Sequence, residues 1–233
     1  MKILSFVGDI HGSFEPTSKF STKIRQKENV IYFQCGDFGI GFGEIDKDIK
    51  KLNILDELLQ QRNSELYVIR GNHDDPKYFN GSFNQFTNIK FLPDYSILEI
   101  QGHKILCVGG AISVDRVFRK EGLSYWKNEP FVLKDDYKEL PTDCDIIVTH
   151  SAPVDFFPYG LKAIDAFLRE DPPLREDLID ERKKLHYLYE HLKPGIKHWF
   201  YGHFHQTKND FYGTFTAHLL NINEFYFLNE VSS

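Results

Sequence analysis

Ile3-Leu4-Ser5-Phe6-Val7-Gly8-Asp9-Ile10-His11 is a short apolar run that ends in a glycine and two cation-binding side chains. The pattern returns down the chain. Val30–Gln34 leads to Gly36-Asp37, and Leu66–Ile69 leads to Gly71-Asn72-His73. Ile146–Val148 leads to Thr149-His150, and His198–Tyr201 leads to Gly202-His203-Phe204-His205. Short runs that are apolar on both faces predict buried strands. Between the first three, Phe14–Lys27 and Asp46–Gln61 carry helical periodicity, with Ile49, Leu52, Leu55, Leu58 and Leu59 as the inner stripe of the second. This β-α-β-α-β order predicts an α/β fold with parallel strands and helices outside the sheet.

Farther along, Ile97–Ile100 and Ile105–Val108 flank Gln101-Gly102-His103 and read as an antiparallel hairpin. After Gly109-Gly110, the polar and aromatic stretch Asp115–Pro130 has few strand or helix signals. It is too long for a plain connection, which makes residues 110–130 a candidate cap or substrate loop. Helical patterns resume at Leu161–Arg169 and Asp177–Leu192, the latter ending at Pro194-Gly195. Strands return at Thr214–Leu220 and Phe225–Leu228. Without repeats or linkers, residues 1–233 are expected to form one domain.

The net charge of −6 opposes a broad nucleic-acid-binding surface, which requires basic residues to neutralise phosphates. A single nucleotide stays compatible with it, because a bound metal can dominate the local field. No segment is long enough for a membrane span, and Ile3–Val7 is too short for a signal peptide. Cys35, Cys107 and Cys144 are odd in number and lie in or beside apolar runs, so buried, reduced thiols and a cytoplasmic location are expected. The 21 Phe and 12 Tyr are expected mainly in the core.

Every cation-binding cluster falls just past a predicted strand, where open α/β sheets place their ligands. A glycine stands before Asp9, Asp37, Asn72 and His203, at points where backbone must come close to a ligand. Oxygen and imidazole donors suit manganese, iron, zinc and similar ions, and no thiolate is placed for a structural zinc site. A carboxylate can bridge two such ions at about 3.5–4 Å, and the pair can clamp a phosphate while activating water.

Gly8-Asp9-Ile10-His11-Gly12, Gly36-Asp37, Gly71-Asn72-His73-Asp74, Thr149-His150 and Gly202-His203-Phe204-His205 resemble, in order, the motifs of the calcineurin-like metallophosphoesterase family. The resemblance spans residues 8 to 205 and implies a two-sheet sandwich flanked by helices. It implies that Asp9, His11 and His205 hold a first divalent cation, that Asp37 bridges, and that Asn72, His150 and His203 complete the second site. Manganese is the foremost candidate, with iron, zinc, nickel and magnesium as the others. Hydroxide on the metals would attack the phosphorus of a phosphoester in line, with His73 as general acid, a role suited to imidazole near neutral pH.

One departure narrows the branch. Protein-phosphatase and dinucleotide-tetraphosphatase relatives carry an Asp-Arg-Gly run shortly after the bridging aspartate, whereas this chain reads Asp37-Phe38-Gly39-Ile40-Gly41-Phe42-Gly43, taken as a turn. Phosphodiesterase action on nucleotides or nucleic acid is therefore expected ahead of phosphomonoesterase action, including that of a protein phosphatase. A non-catalytic scaffold, such as the retromer subunit of this fold, is the competitor, and His73 counts against it. Arg116 and Arg119, with Tyr125-Trp126, are candidate substrate contacts. Asp74 is expected to cap or orient His73. His103, His186, His191, His198 and His218 are expected at the surface or in packing, and Arg175–Lys184 as a solvated helix face.

Overall fold

The computed structural model describes residues 2–160 and 164–228. Eleven strands lie in the described residues. They are β1 (Ile3–Val7), β2 (Val30–Gln34), β3 (Glu65–Val68), β4 (Ile89–Phe91), β5 (Ser96–Ile100), β6 (His103–Val108), β7 (Ile146–Thr149), β8 (His198–Tyr201), β9 (Lys208–Phe211), β10 (Thr216–Leu219) and β11 (Phe225–Leu228). The α-helices are α1 (Lys19–Arg25), α2 (Ile45–Gln61), α3 (Asp165–Glu170) and α4 (Leu174–Leu192). One sheet has the order β11-β1-β2-β3-β4 and the other β5-β6-β7-β8-β10-β9. Within them β1 to β4 run parallel, as do β6, β7, β8 and β10, while β5, β9 and β11 pair antiparallel at the margins. The fold is an α/β sandwich of two mixed sheets flanked by helices.

The two-residue period of a strand explains the layering. Leu4, Phe6, Ile31 and Phe33 point between the sheets, where they meet Ile105, Cys107, Ile146, Val148 and Phe200. Phe6 and Phe200 stack there with ring centroids 3.7 Å apart. Val7, Val30 and Tyr32 point the other way, beneath Leu52, Leu55 and Leu59 of α2. On the second sheet, Leu106, Ile147, Trp199 and Tyr201 face outward onto Leu185, Leu188 and Leu192 of α4. Runs apolar on both faces are thus the signature of strands covered on both sides.

Several boundaries differ from expectation. α1 starts at Lys19 rather than near Phe14, because Ser18 caps it by accepting from Ser21 N, while Pro16 disfavours helical backbone just before it. α4 begins at Leu174, immediately after Pro172-Pro173. α3 is only six residues long, and the first residues of the expected Leu161–Arg169 helix, 161–163, lie outside the described ones. β4 and β9 escaped prediction: one is three residues long, and the other is a polar edge strand with no apolar run to betray it. The Arg175–Lys184 stretch is not uniformly solvated, since Glu181 and Arg182 are buried. All three cysteines are free and buried, and among the described residues no helix is long and apolar enough to cross a membrane.

Candidate metal centre

The chain leaves β1 at Asp9 and His11, β2 at Asp37, β3 at Asn72 and His73, β7 at His150, and β8 at His203 and His205. Parallel strands present these ends to one side, so residues far apart in sequence converge. Ligand atoms of Asp9, His11, Asp37 and His205 all lie within 4.8 Å of one another. His205 Nε2 stands 3.0 Å from Asp9 Oδ2 and 3.0 Å from His11 Nε2. On the other side of Asp37, His150 Nε2 is 3.1 Å from Asp37 Oδ1 and 3.1 Å from Asn72 Oδ1. The His203 ring lies against that of His150, with centroids 5.0 Å apart.

Close approach is what the glycines permit. A Cβ on Gly71 would run into Asp37 Oδ1 and Asp37 N, and one on Gly202 would run into Asp9 Oδ1. Four of the clustered residues also adopt left-handed backbone: His11 at φ 46°, Asp37 at 55°, His203 at 67° and His205 at 49°. Such conformations are uncommon outside glycine and gather at functional sites. They persist here because backbone bonds over-determine them: His203 N donates to the Asp9 carboxylate, and Ile10 N and His11 N donate to Asp37 O.

The donor set fits divalent cations. His150 Nδ1 donates to the Cys35 carbonyl at 2.7 Å, since a carbonyl can only accept. Its Nε2 then faces two oxygens, from Asp37 and Asn72, and a positive group is needed between them. Burial works against a charge on His150, but Asp37, aided by Asp9, outweighs burial and lifts it to about 9. Burial also opposes ionisation of Asp37, yet His150 and His73 hold its carboxyl well below the usual range. At the other end His11 and His205 turn ring nitrogens toward each other. Donating a hydrogen bond to Asp9 raises His205, whereas burial lowers His11. Burial, reinforced by His150, drives His203 well down and keeps it a neutral donor. Imidazoles and carboxylates that compete for too few protons are what two cations would satisfy.

Around this set, further side chains hold the candidate ligands still. Asn72 Nδ2 donates to Ser113 Oγ at 3.0 Å, and Glu129 accepts from Ser113 N at 2.8 Å. Of the two roles expected of Asp74, capping backbone is the one observed. Asp74 accepts from Phe38 N, Gly39 N, Ile40 N and Gly71 N, which ties the loop after β2 to the loop after β3. The glycine-bearing segment 37–43 is accordingly a pinned turn.

His73 sits beside the cluster. Its Nδ1 is 2.7 Å from Asp37 Oδ2, and its Nε2 is 2.7 Å from Arg119 Nη2. Because guanidinium only donates, Nε2 accepts and the ring proton resides on Nδ1. Arg119 is further held by Asp115 at 2.7 Å and lies over the Phe42 ring. Arg116 is placed elsewhere: it pairs with Asp171 and Asp177, and so ties the 110–130 segment to the start of α4. In that segment Trp126 is buried against Phe42, whereas Val117, Phe118 and Leu123 are exposed. Of the histidines expected at the surface or in packing, His218 is buried and stacks on Phe200. Sequence reasoning did not find Ser113, Glu129 or the Cys35 carbonyl as supports, because nothing local marks pairs that stand 16, 41 and 115 positions apart.

Residues 1–207 match the family model of calcineurin-like phosphoesterase. The chain belongs to that family. Among solved structures, a putative 5'-nucleotidase from Staphylococcus aureus aligns with a TM-score of 0.53 at 11% identity, covering 95% of this chain and 48% of that one. This chain therefore spans about half the length of that protein. GAP50, described as the anchor in the inner membrane complex of Plasmodium, aligns with a TM-score of 0.50 at 12% identity, covering 95% of this chain and 72% of that one. At such identity the likeness shows the fold alone. No curated protein matches the sequence.

Proposed function

We propose that this chain hydrolyses phosphoesters at a pair of divalent cations, manganese foremost, with residues 1–233 acting as one domain and 110–130 as its cap. Asp9, His11 and His205 would hold the first cation, Asp37 would be shared, and Asn72, His150 and His203 would hold the second. The observation that carries the reading is the convergence of these donors on both sides of Asp37, with His73 beside them. Two cations held there would neutralise phosphoryl charge and bring water ionisation toward neutral pH. Arg119, which reaches the same cleft, would bind a phosphoryl oxygen through its planar fork. Were Arg119 drawn off by that phosphoryl oxygen, His73 Nε2 would be free to carry a proton and deliver it to the leaving oxygen.

A small phosphodiester is the favoured substrate class. The second aspartate and the arginine of the phosphatase branches are absent from 37–43, and the cleft of about 430 Å³ leaves room for a second ester. The charge of −6 weighs against long nucleic acid. The buried free thiols support a reducing, cytoplasmic setting. In manganese-loaded protein, Asp37→Ala and Asn72→Ala should each reduce hydrolysis of p-nitrophenyl esters to background, and wild-type turnover in either would overturn the reading. Bis(p-nitrophenyl) phosphate should be a better substrate than the monoester; a strong monoester preference would reverse the choice of class.

A further inference from the structure

The cleft beside the metal centre is larger than a phosphate requires, and its walls are unlike. One side is the centre itself, through Asp37, Asn72, His73, His203 and His205, with Arg119 at its edge. The other side is apolar, built from Val114, Phe157, Ile164, Phe167, Leu178 and Phe204. Val114, Ile164, Phe167 and Leu178 belong to a small separate core with Ile112 and Leu174, so packing holds them in place. Glu181 and Arg182, which also line the cleft, are already engaged by the fold. Glu181 accepts from Phe131 N and Ile112 N, and the Arg182 guanidinium donates to the carbonyls of Ala152, Pro153, Phe156 and Pro158. Most of their hydrogen-bonding capacity is thus spent within the fold, and reading a base edge or a sugar hydroxyl from this side would fall chiefly to the exposed Gln206.

We infer that this cleft holds the organic part of the phosphoester and selects an apolar, ring-bearing alcohol over a nucleoside. The inference rests on the proposed hydrolysis and narrows the substrate expected from sequence. Its volume of about 430 Å³ is ample, since an apolar cavity of roughly 150 Å³ already accommodates benzene. The apolar wall and the metal centre share one cavity, so an ester anchored at the cations has its substituent directed along that wall or out to solvent. Burying a ring there removes apolar surface from water, a gain that a methyl group realises only in small part.

Calorimetric binding to the manganese-loaded protein tests this without turnover, using methylphosphonate, benzylphosphonate and a nucleoside 5'-methylenephosphonate. Benzylphosphonate should bind about tenfold or more tighter than methylphosphonate, and tighter than the nucleoside analogue. Val114→Ser and Leu178→Ala, each checked for folding by circular dichroism, should narrow the benzyl-over-methyl ratio to about threefold or less. Equal binding of the benzyl and methyl compounds, or stronger binding of the nucleoside analogue, would overturn the inference and leave the hydrolase reading intact. Failure of all three to bind, together with no hydrolysis of aryl phosphates, would overturn both.

Discussion

At the scale of single residues, the centre depends on side chains being held, not merely present. Asn72 is a carboxamide whose oxygen faces His150 only because its nitrogen donates to Ser113 Oγ. Ser113 is in turn fixed through its backbone N by Glu129. Groups that orient a ligand without touching the metal commonly control affinity by about 10–100-fold. Ser113→Ala should therefore weaken manganese binding and kcat/KM by about that range, with the fold retained. Manganese titration followed calorimetrically checks it, and wild-type affinity would show that Asn72 is held by its other neighbours.

Elements matter through the loops that follow them. The loops after β2 and β3 carry Asp37, Asn72 and His73, and Asp74 bonds them together through four backbone donors. Burial, reinforced by Asp37, pushes the Asp74 carboxyl up to about 6, which shows how unfavourable a charge is in that place. Removing the acceptor would leave buried N–H groups unpaired. Asp74→Ala should then cost ~3 kcal/mol and lower metal affinity, since His73 and Asp37 would lose their common frame. Urea unfolding reads the first effect and metal titration the second; an unchanged midpoint would show that water replaces the carboxylate. α4 works similarly on the opposite side, where Arg182 gathers four carbonyls of the 152–158 loop and thereby places Phe157 beside the cleft.

For the whole molecule, the informative quantity is the pH dependence of folding. Burial raises Glu129 to about 7, and it raises Glu181 to about 7 as well. A carboxyl with a raised folded-state pKa stays protonated where the unfolded chain has already released its proton. Its contribution to stability therefore falls as pH rises from the unfolded value, near 4.5, through about 7, and is level above. Asp37, held low, contributes in the opposite direction: its stabilisation is present above the unfolded carboxyl pKa and disappears as the pH falls. Glu129→Gln carries no charge at any pH. In chelator-treated protein its stability relative to wild type should be near zero at pH 4 and about 1–3 kcal/mol higher at pH 8. Denaturant midpoints at the two pH values measure this, and a pH-independent difference would refute the assignment.

Nine of the eleven strands in the described residues, the order of the candidate ligands and the family were legible in the residues alone. Strands covered on both faces must be apolar on both faces, and a glycine is required wherever two ligand-bearing loops approach to within a Cβ. Both constraints are local, so Ile3–Val7, Val30–Gln34 and the residues after them were legible one segment at a time. Polar edge strand β9 was not, because nothing buries it. Nor did local pattern reveal that Arg116 is ion-paired with Asp171 and Asp177 while Arg119 reaches His73, although the two lie three positions apart. The same holds for Glu181 and Arg182, which look like a solvated face until the 110–130 and 152–158 loops close over them. Partners 24 or more residues apart meet only when the tertiary fold closes, and a side chain's charge state follows from the groups it meets there. Tertiary structure alone therefore decided what supports the centre, and placed an apolar wall beside it.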